Sequence, residues 1–232
     1  MILSGQWQVD AKKVSIYFFF FLFFIVGCFL LSDFLLSQES KLFLTSLWDS
    51  FSGFLIQNGP VLFLAIAFLP ALILPVSPLL ALAGIWGESK GIILASALGS
   101  LSLVANCCWT YWFARVLGLK VVNRFICLMR KNPISIPEKA KDTNFFAWAL
   151  VLRLTPGIPF IFGNYILGAL KMPFHLYLLI SAPILTISSF GYIFATAGLI
   201  SGDFINFAGG AAIILCIFMV SKYILKMKKN AG

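Results

Sequence analysis

FFAWALVLRLTPGIPFIFGNYILGALK, residues 145–171, is the stretch whose reading decides the fold. It is apolar enough to enter a bilayer, yet it carries Arg153, Pro156, Pro159, Asn164 and Tyr165. Charge is costly at membrane depth and proline removes a backbone donor, so a plain transmembrane helix has little use for that set. Non-helical backbone at such depth is tolerated only where protein or a watery cavity surrounds it. The stretch reads as a broken, re-entrant segment beside a polar site.

The composition around it sets the solvent. The chain is 61% apolar and only 11% charged, with a mean hydropathy of +1.00. A soluble domain of this size does not need so much apolar surface, so the solvent is lipid. Long apolar runs, rather than short alternating ones, make the chain helical and not a transmembrane barrel. The net charge of +9 lies in blocks between apolar runs. That pattern reports topology and contact with anionic head groups, and it argues against nucleic acid as a partner. The cysteines Cys28, Cys107, Cys108, Cys127 and Cys216 contain no CxxC and have no histidine nearby. They read as small packing residues, not as a disulfide framework or metal site. The single histidine, His175, sits at the foot of a predicted helix, so hydrolytic triads and metal centres lack their parts. No cofactor is expected.

Working outward, residues 1–36 read as a cytoplasmic lead and a transmembrane anchor, with the uncharged run 14–32 long enough to span. Residues 33–53 can form an amphipathic interfacial helix with Leu42, Phe43, Leu47, Trp48 and Phe51 toward lipid. Residues 37–200 form the core. It comprises a hairpin over 54–89, a span over 91–114, a basic loop over 115–142, a second hairpin over 143–171 and a span over 173–198. Residues 203–232 give a last transmembrane helix and a lysine-rich tail.

The two hairpins share a spacing. Pro75, Pro78, Gly87 and Lys90 repeat as Pro156, Pro159, Gly168 and Lys171, and an uninterrupted span follows each set. Such repetition is the mark of an inverted repeat. The arms 143–155 and 160–171 reach only ~18 Å at ~1.5 Å per residue, against a hydrocarbon core of ~30 Å. The chain must therefore turn back near Pro156–Pro159. With both hairpins re-entrant, residues 1–13, 115–142 and the tail share one side with Lys171. That side then holds fourteen of the seventeen lysines and arginines, which makes it cytoplasmic. The predicted fold is thus an all-α polytopic membrane protein. Its inverted repeat has two re-entrant helical hairpins, each followed by a transmembrane helix, with further transmembrane helices at the N- and C-termini.

Arg153 stands near the second hairpin's tip. It either caps carbonyls freed by the prolines or holds a charged partner, a substrate phosphate or an acidic side chain. Asn164 and Tyr165 offer amide and phenol donors on the returning arm, for a ligand or for a neighbouring helix. Gly87 and Gly168 suit close packing or capping, and Pro75, Pro78, Pro156 and Pro159 make the breaks.

RLTPGIPFIFGNYILG, from Arg153 to Gly168, resembles the signature of the DedA and SNARE-associated Golgi protein (VTT-domain) superfamily, and within it the small Tvp-like branch with many bacterial members. PVSP at Pro75–Pro78, GIWG at Gly84–Gly87, Gly91 and ARVLG at Ala114–Gly118 fit the same pattern. The resemblance implies two opposed re-entrant hairpins, movement of lipids or lipid-phosphate carriers across bilayers, and a translocation site lined by Arg153 and Pro156–Gly168. DedA-type bacterial members usually have an acid in or near the first hairpin. LPVSPLL, from Leu74 to Leu80, has none, which disfavours proton coupling.

The expected function is translocation or scrambling of a lipid or amphipathic anion, not enzymatic catalysis. The substrate-binding residues are Arg153, Asn164 and Tyr165. The partners are a phospholipid or lipid-linked phosphate, the membrane itself and a homo-oligomeric copy. The expected location is a bacterial inner membrane with both termini cytoplasmic, or a Golgi-type membrane in a eukaryote. The alternative is a non-transporting scaffold that organises membrane or recruits partners. It would depend on Arg124, Arg130, Lys131 and Lys139 of the basic loop.

Overall fold

A computed structural model describes residues 38–72, 74–129, 145–154 and 159–230. Those residues form helices and turns, with no strand among them. The expected anchor at 14–32, the loop residues 130–142 and the tip prolyl Pro156 lie outside the described residues. The chain divides into two compact units, residues 1–54 with 223–232 and residues 55–222.

Helix α1 is Gln38–Gln57, with Glu39 in its first turn facing the positive end of the helix dipole. Leu42, Phe43, Leu47, Trp48 and Phe51 are all exposed, as are the polar residues Thr45, Ser46 and Asp49 between them. The chain breaks at Asn58, and Pro60 opens the next helix at a position where its missing N–H costs nothing.

Helix α2, Gly59–Phe68, tightens into a 3-10 turn over Leu69–Leu72 that contains Pro70. After Pro75, in extended conformation, helix α3 runs over Val76–Lys90 and stops at Gly91, whose φ of 112° only glycine adopts without strain. Within the expected hairpin 54–89, residues 54–57 continue α1, and helix follows over 59–72 and 76–90.

Helix α4, Ile92–Met129, is interrupted at Gly118 (φ 76°, ψ 168°). Its straight part, Ile92–Gly118, is long and apolar enough to cross a membrane, so the expected span 91–114 extends a turn further. The second pair of short helices is α5, Phe145–Leu154, and α6, Phe160–Ala169, ten residues each and thus ~15 Å long. Helix α7, Phe174–Ser201, is the second candidate span. Helix α8, Phe204–Asn230, begins at Asp203, whose Oδ1 accepts from the amides of Ile205 and Asn206. Its apolar portion among the described residues is Phe204–Val220, within the residues 203–232 expected to give a last transmembrane helix. The described residues thus hold two candidate spans, or three if Gln38–Gln57 and Gly59–Leu72 act as one interrupted crossing.

Element order repeats in the two halves. A broken pair of short helices, a left-handed turn and a long apolar helix occur over 59–118 and again over 145–201. Helix α4 packs against α2, α3, α6 and α7. Two apolar clusters form around it. One joins Leu62, Ile66, Leu80 and Leu103, and the other joins Tyr111, Ile166, Leu170 and Tyr177. Phe160, at the start of α6, packs against both. The broken segments of both halves therefore meet on α4, and that meeting positions the polar groups.

Candidate functional site

The breaks free backbone carbonyls, and side chains from other elements take them up. In a regular helix Ala71 O would accept from residue 75, but that residue is Pro75, which has no N–H. The Tyr165 hydroxyl donates to Ala71 O instead, at 2.8 Å. Asn106 Nδ2 and Trp109 Nε1 on α4 both donate to Ala67 O, at 2.7 and 2.9 Å. Asn106 Oδ1 is buried without a partner.

On the other side of α4 lies Arg153. Its Nε donates to Ser181 Oγ at 3.0 Å and its Nη1 to Phe160 O at 3.1 Å. Its Nη2 donates to Asn164 Oδ1 at 2.6 Å and Tyr177 OH at 3.1 Å, and reaches Cys107 Sγ at 3.5 Å. The guanidinium also sits 5.5 Å from the Tyr177 ring centroid. Every one of these acceptors is neutral. No acidic residue occurs between Asp142 and Asp203 or between Glu88 and Glu138, so the segments building the cluster contain no counter-charge. A buried charge is tolerated when hydrogen bonds replace its hydration, and this cage supplies them.

Asn164 is fully buried at the centre of the cage. Its Oδ1 accepts from Arg153, from Tyr177 OH at 2.9 Å and from Cys107 Sγ at 3.3 Å. Its Nδ2 donates to Thr110 Oγ1 at 2.9 Å. Arginine can only donate, so the amide orientation is forced by its neighbours. Tyr165 follows on α6 and points elsewhere, because successive helical residues are turned by a large angle. Arg153 and Asn164 are thus brought together, whereas Tyr165 joins α6 to the break at Pro75.

Pro75 caps the start of α3, Pro78 lies in its first turn and Pro159 caps the start of α6. A Cβ on Gly168 would overlap the Tyr111 carbonyl, so this glycine lets α6 lie directly on α4. Gly87 abuts Ala95 Cβ, where an added Cβ would come within 2.7 Å.

Sequence reasoning missed Cys107, Thr110, Tyr177 and Ser181, each buried in an apolar run. Cys107, expected to be only a packing residue, contributes a polar thiol contact. Their signal was available as spacing. Cys107 and Thr110 share a face of α4, and Tyr177 and Ser181 share a face of α7.

At the end of α4 a second guanidinium is fixed. Arg115 Nη1 donates to Met172 O at 3.1 Å and to Tyr111 OH, which itself donates to Met172 O. Met172 belongs to the turn that ends α6. There Lys171 N donates to Gly168 O and Met172 N to Leu167 O, the paired bonds of a Schellman motif. Lys171 occupies the left-handed position with φ 56°. Non-glycine residues pay ~1 kcal/mol or more there, and glycine is the usual occupant.

The depth of the cluster follows from helix rise. Cys107 lies ~12 Å along α4 from Arg115, and Ser181 ~10 Å along α7 from Phe174. The ring contact of Trp112 with Phe174, 5.5 Å between centroids, puts those two helix ends at one level. The Arg153 partners Cys107 and Ser181 thus lie about 10–12 Å along the bundle from that level.

No curated protein and no solved structure matches the chain. A family model for the VTT domain matches residues 74–198, which include the break at Pro75 with α3, the second proline-broken segment, all of α7 but its last turn, and every residue that hydrogen-bonds Arg153. On that match the chain belongs to the VTT-domain family, the DedA/SNARE-associated Golgi proteins, and is a membrane protein.

Proposed function

We propose that the protein moves a lipid or amphipathic anion across the bilayer, by scrambling or facilitated transport, with the anionic head group drawn to Arg153. The observation that carries this reading is a largely enclosed guanidinium whose acceptors among the described residues are all neutral. Such a cage satisfies the donors but leaves the charge uncompensated, and an anion is the natural complement.

In this reading residues 54–89 and 143–171 are opposed re-entrant hairpins of an inverted repeat, between which the head group passes. The ten-residue lengths of α5 and α6 support it, as neither can cross a ~30 Å core. Asn164 and Tyr165 donate to the head group once their present partners, Thr110 and Ala71, are released. The anchor 1–36 and the last helix and tail, 203–232, flank this core. The substrate is a phospholipid or lipid-linked phosphate, the protein acts alone or as a homo-oligomer, and it resides in a bacterial inner membrane with both termini cytoplasmic. With no acid at Leu74–Leu80, transport runs without proton coupling at that position.

The test is reconstitution into vesicles with a labelled phospholipid, comparing parent protein with Arg153→Ala and Arg153→Lys. The expected result is loss of translocation in Arg153→Ala and partial retention in Arg153→Lys. Translocation by a folded Arg153→Ala variant at the parent rate removes Arg153 from the role. Labelling of single cysteines at Leu74→Cys and Pro159→Cys from opposite faces tests the hairpins.

A further inference from the structure

The end of the bundle that holds Arg115 differs from the opposite end in how its turns are made. At the opposite end the chain reverses at Gly91 and Gly202, both glycines with positive φ. Here the equivalent left-handed position is filled by Lys171. An unfavourable residue at a position that glycine fills elsewhere points to use of its side chain. Lys171 is exposed, and so is His175 in the first turn of α7. Between them lies Met172, whose carbonyl receives the Arg115 guanidinium.

The Arg115 guanidinium thus rests against the turn that carries Lys171 and leads to His175, and the stretches of chain on either side contain no acid to neutralise them. Arg115 is also oriented, by Tyr111 OH and Met172 O and by the faces of Tyr111 and Trp112, at 5.8 and 5.5 Å. A planar, pre-oriented fork suits a phosphate better than a mobile ammonium does. Next to it, α4 presents an apolar flank. Trp112, Phe113 and Val116 are 49%, 51% and 85% exposed. A basic centre with an adjoining apolar strip, and an indole at their boundary, matches a lipid with its phosphate on one and an acyl chain along the other.

We infer that Arg115, Lys171 and His175 form a binding site for the phosphate of an anionic membrane lipid, distinct from the Arg153 cluster and lying at the surface. Its meaning as a loading station for translocation rests on the function proposed above, whereas the binding itself does not.

The experiment uses the full-length protein in nanodiscs of mixed phosphatidylglycerol and phosphatidylcholine, with retained lipid counted by native mass spectrometry. The parent protein is expected to retain phosphatidylglycerol preferentially, and the preference to fall about five-fold for each charge removed in Lys171→Gln and Arg115→Gln. The exposed pair Lys171→Gln with His175→Gln provides a variant that leaves the Tyr111–Arg115–Met172 contacts in place. Lys90→Gln, at the opposite end, is expected to keep the preference. Equal preference in the parent and the Lys171→Gln, His175→Gln variant overturns the site. Displacement of the lipid by inorganic phosphate would assign it to a free anion instead and overturn the lipid as occupant. Translocation is not read in this experiment, so a dispensable Arg153 leaves its outcome unchanged.

Discussion

Tyr111 and Tyr177 stack with ring centroids 4.6 Å apart, and each carries an arginine, Arg115 on the first and Arg153 on the second. The four side chains form one column from the basic end of α4 to the buried cage. Each tyrosine does two things. Its ring faces a guanidinium, and its hydroxyl bonds both the guanidinium and a backbone or amide acceptor.

Removing one hydroxyl separates these contributions. In Tyr177→Phe the stack with Tyr111 remains, but Arg153 loses one acceptor and Asn164 Oδ1 loses one donor. The expected cost is about 1–3 kcal/mol, since the groups left behind are buried. Thermal unfolding in detergent reads it. A variant as stable as the parent would mean that Tyr177 acts by packing alone.

Asn164 is the position at which the charge argument can be inverted. Asn164→Asp would put a carboxylate 2.6 Å from Arg153 and neutralise the cage without changing its size. The fold is expected to hold, and translocation of an anionic lipid to drop by about tenfold or more, as an internal partner now competes with the head group. Asn164→Leu instead leaves Arg153, Tyr177, Cys107 and Thr110 without their shared partner, at a cost of about 3 kcal/mol. Stable Asn164→Asp with full translocation would contradict the need for an uncompensated charge.

Gly168 tests the packing that holds the cage. A methyl there would overlap the Tyr111 carbonyl, and because that atom is backbone, α6 must move away from α4. Gly168→Ala is expected to cost about 1–3 kcal/mol, and to weaken the Asn164–Cys107 and Asn164–Thr110 contacts that span the two helices. Its thermal midpoint should therefore fall well below the parent's.

Much of this was legible in the chain itself, because membrane depth penalises charge and breaks so strongly that they stand out. Pro75, Pro159, Arg153 and Asn164 announced themselves as misfits in apolar runs, and the repeated spacing fell on broken helices. The partners did not stand out. Tyr177, Thr110 and Ser181 are ordinary residues of apolar helices, and only the approach of α4, α6 and α7 makes them a polar cluster. Tyr165 was read as a candidate ligand donor with no way to foresee its hold on Ala71, since that contact joins positions far apart in the chain. Arg115 was counted as one charge in a basic loop, whereas α4 continues through it and fixes it against Met172.

Lys171 yields a prediction in which stability and function move in opposite directions. Glycine at this position relieves the left-handed backbone of a side chain, worth about 1–2 kcal/mol, and loses up to about 1 kcal/mol through the greater freedom of the unfolded chain. The Schellman bonds from Lys171 N and Met172 N are backbone bonds and persist. Lys171→Gly is thus expected to unfold at the same temperature as the parent or slightly above it. It also removes a cation from the Arg115 turn, so retention of phosphatidylglycerol is expected to fall about five-fold. A lysine present only to shape the turn would give a more stable protein with unchanged lipid retention. A lysine that holds a phosphate gives a protein at least as stable that holds its lipid less well, and thermal unfolding and lipid counting on the same preparation tell the two apart.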